Sequence, residues 1–446
     1  MATIYFNDAL RLAATSLLDA GLPHKSKVRL IRDVYGRLRF ALDCPLADYP
    51  LAGLTQLQQA QAALGPYATS AEVLSHDSFS DPKAVFGSTD WHRTLVALGA
   101  DEDGAPLGIA EVQLLDRQIT GQDWLRPPLE CGAAHPHRFV FFGLKGGVGR
   151  STALCMTAWE LAKRGLRVLL IDFDLESPGL LGLLLPTHKG AEFGVVDWLL
   201  EDAVGQGEAI LPRMVAASPL SETTVGAIRV AAAMGRGDPD YLAKLSRAYA
   251  DVPGVGGPLR MGTRMRTMVE RLEAQEKPDV VLIDSRAGLH DLAAVSITGL
   301  ADTALLFATG GAQSWIGYRQ LFSYWQHRPD VAQHVRERLL IVRALTPKSD
   351  REAIVRTFQR NAYELFSETL YDELPVGQAA ADVLFHPGEK DESAPHFPIL
   401  VDWDARFQEF DPMLRPEGGG ATQAQIDGAF GQLIERLLSR LEGDDA

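Results

Sequence analysis

Cysteine is scarce in this 446-residue chain: Cys44, Cys131 and Cys155 stand far apart, and none belongs to a CxxC pair. That pattern excludes a disulfide framework and a cysteine-rich zinc site, and it fits a reducing, cytoplasmic setting. Long apolar runs are missing, and none approaches the roughly 20 residues of a membrane-spanning helix. The first residues, MATIYFNDALRLAATSLLDAG, carry no basic stretch ahead of an apolar one, so no signal peptide is expected. A positive charge excess is missing too. Lys and Arg number 43 against 58 Asp and Glu, a formal net charge of −15, which argues against a surface that coats nucleic acid. His135 and His137 have no cysteine partner at ligand spacing and are read as solvent-exposed residues, not a metal pair.

What is present is the composition of a globular protein, 46% hydrophobic and 23% charged. The length implies roughly two to three domains. Residues 1–126 read as a smaller α+β domain: a helical pattern to about residue 20, a hairpin from 28–34 and 37–42, alternating helix and loop through 51–100, and a strand at 109–115. No motif there carries chemistry. Residues 127–137, with Pro127-Pro128, read as a linker. From 138 to 446 buried-strand runs alternate with helical patterns, which implies an α/β domain with a mostly parallel sheet and helices on both faces. The strands are expected at 139–142, 167–173, 228–233, 279–284, 303–307 and 339–342, with another at 397–400 inside an extended segment spanning 385–420. The charge is uneven. Residues 371–446 hold 16 acidic and 5 basic residues, whereas 331–360 hold seven Arg or Lys against three acids. These read as a solvated acidic segment and a charged helix face. Nucleic-acid binding through the 331–360 arginines, or through Arg260, Arg264, Arg266 and Arg271, stands as a weakly supported alternative. The last helix places Ile426, Phe430, Leu433, Ile434, Leu437, Leu438 and Leu441 on one stripe. Its flanking acids would be repelled by anionic lipid, so docking onto the core is expected and membrane binding is not.

The stretch FVFFGLKGGVGRST, residues 139–152, joins a buried strand to a helix through a glycine turn. Gly146, Gly147 and Gly149 allow backbone N–H groups to turn inward, and these with the helix N-terminus make a phosphate cradle. Ser151 is placed to ligate a Mg²⁺ that bridges the phosphates. Lys145, at the start of KGGVG, is the mark of a deviant Walker A loop, and the stretch resembles the ParA/MinD-like ATPases at that point. Two further motifs carry the resemblance. The strand at 167–173 runs into Asp172-Phe173-Asp174 and continues LESPG, similar to the second acidic element of that group. The strand at 279–284 ends in Asp284, the Walker B pattern, and continues SRAG. The three motifs together resemble a variant branch found in bacterial regulatory or defence sets.

The resemblance implies ATP with Mg²⁺, a nucleotide-dependent homodimer and an unnamed protein partner. It implies nucleotide contacts from Gly146, Gly147, Val148, Gly149, Arg150, Ser151 and Thr152. Ser151, Asp172 and Asp284 would hold the metal. Lys145 would reach the partner subunit's γ-phosphate, and Asp172 and Asp174 would position the attacking water. Arg286 would act as an internal arginine finger or else pair with a nearby carboxylate. Loops at Thr346-Pro347 and Leu374-Pro375 would flank the base, with Pro375 in contact. Arg150 departs from the usual lysine. A planar, permanently charged fork is bulkier than an ammonium group, which leaves a slowly hydrolysing or non-hydrolysing nucleotide-sensing scaffold as the alternative to an ATPase switch. The related tyrosine kinases rely on C-terminal tyrosines, and here the last tyrosine is Tyr371.

Overall fold

The computed structural model describes residues 3–70, 72–99, 107–126, 134–254, 258–374, 384–408, 411–414 and 420–443. Contacts divide the chain into two units: Met1–Arg126 with His327–Pro329, and Pro127–Gln326 with Asp330–Ala446. The first unit holds strands β1 (Val28–Arg32), β2 (Leu38–Leu42), β3 (Trp91–Ala97) and β4 (Ile109–Asp116), in the order β2-β1-β4-β3. β1 and β2 form the expected hairpin, and their turn is closed by Asp33, whose Oδ1 accepts from the N–H groups of Tyr35 and Arg37. The helices Phe6–Leu17 and Leu51–Ala63 contribute Ala9, Ala13 and Leu57 to a core with Leu30, Phe40 and Val112. Strand β3 was not anticipated. It lies in the region read as helix and loop, and it pairs antiparallel with β4 from Trp91↔Leu115 to Ala97↔Ile109.

The second unit is built on eight strands: β5 (His137–Gly143), β6 (Arg167–Phe173), β7 (Ala216–Ala217), β8 (Ala227–Ala231), β9 (Val280–Ser285), β10 (Thr303–Ala308), β11 (Leu339–Thr346) and β12 (Ile399–Asp402). Their order is β12-β11-β10-β5-β9-β6-β8-β7, and every neighbouring pair is parallel except β7 with β8. All six residues of β9 and of β10 are buried, as are six of the seven in β5. A parallel strand covered on both faces has no solvent side to spend polar residues on, which is why these runs read as unbroken apolar text. The second unit is therefore an α/β parallel-sheet architecture, and the first is a smaller α+β unit.

The last helix, Gln423–Glu442, docks as expected. Ile426, Phe430, Leu433, Ile434 and Leu437 share one buried cluster with Leu154, Ala158 and Leu161 of the helix Arg150–Lys163. Each fully buried leucine there contributes about 1.5–3 kcal/mol. The arginine clusters are not free basic patches. Arg264 and Arg266 are buried, with Arg264 paired to Asp202 and Arg266 donating to the Gly299 carbonyl; Arg271 pairs with Glu208. In the 331–360 stretch Arg336 pairs with Asp372, Arg351 with Asp402 and Arg360 with Glu364. His137 bonds through Nε2 to Thr303 Oγ1 at 2.9 Å, and Cys44 and Cys155 are buried free thiols. Cys131 lies outside the described residues. Among the described residues no helix is long and apolar enough to cross a membrane.

Candidate functional site

The carboxyl ends of β5, β6 and β9 lie side by side, where ligands bind in open α/β sheets. Beyond β5 the chain turns through residues 144–149 into the helix Arg150–Lys163. Gly147 and Gly149 hold φ of +74° and +77°, the left-handed region that a side chain would strain. Gly146 is different. Its φ is ordinary and nothing lies within 4 Å of where a Cβ would stand, so the surrounding protein imposes no need for glycine. A ligand pressed against that backbone would impose one. Val148 is buried beneath the turn, and Leu144 packs over Gly317, where a Cβ would come within 2.7 Å of Leu144 Cδ1. Lys145 is exposed, and among the described residues its ammonium group makes no hydrogen bond or ion pair.

Beneath the turn, two of the expected site residues, Asp174 and Asp284, converge on the guanidinium of a third, Arg150. Arg150 is only 7% exposed; its Nε donates to Asp284 Oδ1 at 2.6 Å and its Nη2 to Asp174 Oδ2 at 2.7 Å. Among the described residues its buried Nη1 has no partner. Burial works against the Arg150 cation, but Asp284 and Asp174 more than offset it and leave the guanidinium above its ordinary pKa. Ser151 Oγ donates to the other oxygen of Asp284 at 2.6 Å. Burial raises the Asp284 carboxyl above the usual range, against the opposing pull of Arg150 and Ser151.

Asp172 is fully buried and stands opposite Asp284 in the β6–β9 register. Its Oδ1 accepts from the Asp174 N–H, and its Oδ2 from those of Gly179 and Leu180, at 3.1–3.2 Å. It thus ties down the turn after β6. Burial and then the Asp284 charge push it well above the usual carboxylate range. Arg286, just past β9, pairs with Glu176 of that turn, and Tyr249 donates to the same Glu176 oxygen. His290 caps the short helix Asp291–Ala294, and burial lowers its pKa to about 4. Sequence reasoning passed over Glu176 and Tyr249.

A cleft of about 550 Å³ opens beside Gly147, Gly149 and Thr152, and its far wall is Leu345, Asp402, Trp403, Asp404 and Phe407. The size is that of a small-molecule site. Trp403 is 45% exposed, and Phe407 is fixed edge-on against Phe430 at 4.9 Å. Thr346 is buried, with its hydroxyl on the Arg343 carbonyl, and the wall uses Leu345 in its place. Pro375 lies outside the described residues. The residues of this wall were not singled out from sequence, yet a signal existed. The text ILVDWD at β12 ends in acids just as LLIDFD does at β6.

Residues 139–313 match the family model described as the CobQ/CobB/MinD/ParA nucleotide binding domain. That match supports a ParA/MinD-like P-loop nucleotide-binding fold for this segment. No curated protein sequence matches the chain. Similar solved structures include a ParA family ATPase from Chlorobium tepidum TLS, 14% identical, with a TM-score of 0.42, covering 67% of this chain and 98% of that one. A cobyrinic acid a,c-diamide synthase from Mycobacterium smegmatis, with bound ATP analog and magnesium, is 16% identical over 69% of this chain and 96% of its own, with a TM-score of 0.41.

Proposed function

We propose that the chain binds ATP with Mg²⁺ on the 144–152 turn and works as a nucleotide-dependent dimer switch for a protein partner, in a bacterial regulatory or defence setting. The observation that carries this reading is the meeting of Ser151, Asp284 and Arg150 beneath a glycine turn whose Gly146 leaves the backbone open to a close ligand. The backbone amides and the helix N-terminus receive the phosphates, and the cleft at Trp403 receives the base. Ser151 and Asp284 form an oxygen-only donor pair, which suits Mg²⁺ held by one or two protein oxygens together with phosphate and water. Among the described residues no cluster of three or more His, Cys, Asp or Glu could hold a metal by itself. Bound there, the ion would offset phosphate charge. Asp172, spent on three backbone N–H groups, acts on the site by positioning the turn. Lys145, exposed and unpaired, is free to reach a second subunit. The test is calorimetry of the full chain with ATP and with GTP, with and without Mg²⁺. ATP with Mg²⁺ is expected to bind, and Ser151→Ala to weaken it at least about tenfold. An absence of heat with either nucleotide at millimolar concentration overturns the reading.

A second reading, a nucleotide-holding sensor that scarcely hydrolyses, is favoured by one feature. Arg150 points down into two carboxylates, and Asp284 and Asp174 are thereby engaged before any ligand arrives. Arg150→Lys separates the two. A strong rise in turnover would mark the arginine as a brake, and a fall would mark it as part of a working ATPase.

A further inference from the structure

β10 ends at Ala308, and the chain passes through Thr309, Gly310 and Gly311 into the 14-residue helix Ala312–Trp325. Between this turn, β11 and the helix Arg351–Thr369 lies a second cavity of about 520 Å³, which shares no lining residue with the cleft at Trp403. Arg343 of β11 forms part of its lining, with Thr357, Phe358 and Asn361 on the helix side.

Arg343 is 6% exposed, yet no carboxylate lies against it among the described residues. Several other buried arginines of this unit are matched by acids: Arg138 by Glu273, Arg150 by Asp174 and Asp284, Arg264 by Asp202, Arg336 by Asp372. A buried guanidinium without an acid is costly to keep. Its Nη1 donates to the Ala344 carbonyl, its buried Nε has no partner among the described residues, and burial lowers its pKa. The edge left over is Nε with Nη2, the side on which a guanidinium takes two oxygens in parallel bonds. Gly310 faces that edge. A Cβ there would stand 3.8 Å from Nη2 and 4.0 Å from Nε, so any larger side chain would close the approach. The turn then starts a helix whose positive end adds to the attraction for an anion. The Phe358 ring, with its centroid 5.5 Å from the guanidinium carbon, offers an apolar wall.

We propose that this cavity is a second ligand site, which takes a small organic anion with its carboxylate or phosphate head on the Nε/Nη2 edge of Arg343 and its body along Phe358. The site does not depend on the nucleotide reading.

The test is calorimetry of the full chain with benzoate, phenyl phosphate and the uncharged benzyl alcohol. One of the two anions is expected to bind at least about tenfold more tightly than the alcohol, and the tighter one identifies the head group. Arg343→Gln and Gly310→Val are each expected to abolish that preference, with thermal melts showing whether each variant is folded. Should Arg343→Gln fail to fold, Gly310→Val decides, because Gly310 has no left-handed φ to lose. Three results overturn the proposal: no preference for either anion, a preference that survives Gly310→Val, or displacement of the bound anion by excess ATP, which would place it in the glycine turn.

Discussion

Replacing Arg150 by glutamine tests how the site is held before a ligand arrives. The guanidinium side chain, 8% exposed, bonds Asp284 at 2.6 Å and Asp174 at 2.7 Å. Removing one member of a buried ionic pair costs about 3–5 kcal/mol, because the charges left behind are uncompensated. At roughly 2 °C per kcal/mol for a unit of this size, the melting temperature falls by about 6–10 °C near neutral pH. The loss depends on pH, and the sign follows from linkage. Asp284 already sits above the usual carboxylate range because burial outweighs the help it receives, and without Arg150 it rises further. An acid whose folded pKa is raised binds a proton more readily folded than unfolded, so it favours the fold at low pH and loses that contribution as pH rises through the folded value. The deficit of Arg150→Gln is therefore largest above the folded pKa of Asp284 and narrows as pH falls through it. Millimolar Mg²⁺ narrows it as well, by supplying another cation to Asp284. Thermal melts as a function of pH, with and without Mg²⁺, give the answer. A variant that melts with the wild type at every pH would show that these contacts carry no stability, and the reasoning would fall.

Lys145→Ala is expected to abolish ATP turnover and ATP-dependent dimerisation, read by phosphate release and light scattering. The same change should leave stability within about 0.5 kcal/mol, since the side chain is exposed and unpaired. Asp172→Ala strands three backbone N–H groups and should cost about 1–3 kcal/mol in urea unfolding. A cost below that of Ser151→Ala would refute its role in holding the turn. His290 is lowered from 6.5 to about 4, so the unfolded chain takes up a proton there that the fold refuses. Stability is accordingly lost as pH falls from 6.5 to about 4, and His290→Asn, which retains a capping side chain, should flatten that part of the profile.

Sequence revealed the large sheet because its strands are covered on both faces. RVLLIDF is β6 residue for residue, and the acids that close β6 and β9 project from strand ends, as their position implied. Strand β3 stayed hidden for the opposite reason. Its burial alternates but its hydrophobicity does not, since His92 and Thr94 face inward while Leu95 is exposed, and its partner β4 lies beyond an intervening stretch of chain, so WHRTLVA carries no local mark of a strand. The strand expected at 397–400 is Ile399–Asp402, displaced because Phe397 is held in a turn by its N–H bond to the Ala394 carbonyl. The glycine turn was legible from its spacing. The direction of Arg150 was not. Composition specifies a cation after Gly149, but only the packing of β6 beside β9 decides that carboxylates, and not solvent, receive it. The wall at Trp403 escaped because it is assembled from β12 and the segment beyond it, far along the chain from the turn it faces.

Asp172 and Asp284 share one rung of the sheet. The two turns that follow them therefore leave from a common level, and they are laced together twice, by Arg150 between Asp174 and Asp284 and by Arg286 on Glu176. Any ligand that draws Asp284 away from Arg150 also unbalances the guanidinium's grip on Asp174. The turns are thus tied to each other, and a displacement of one would be passed to the other over the width of two adjacent strands.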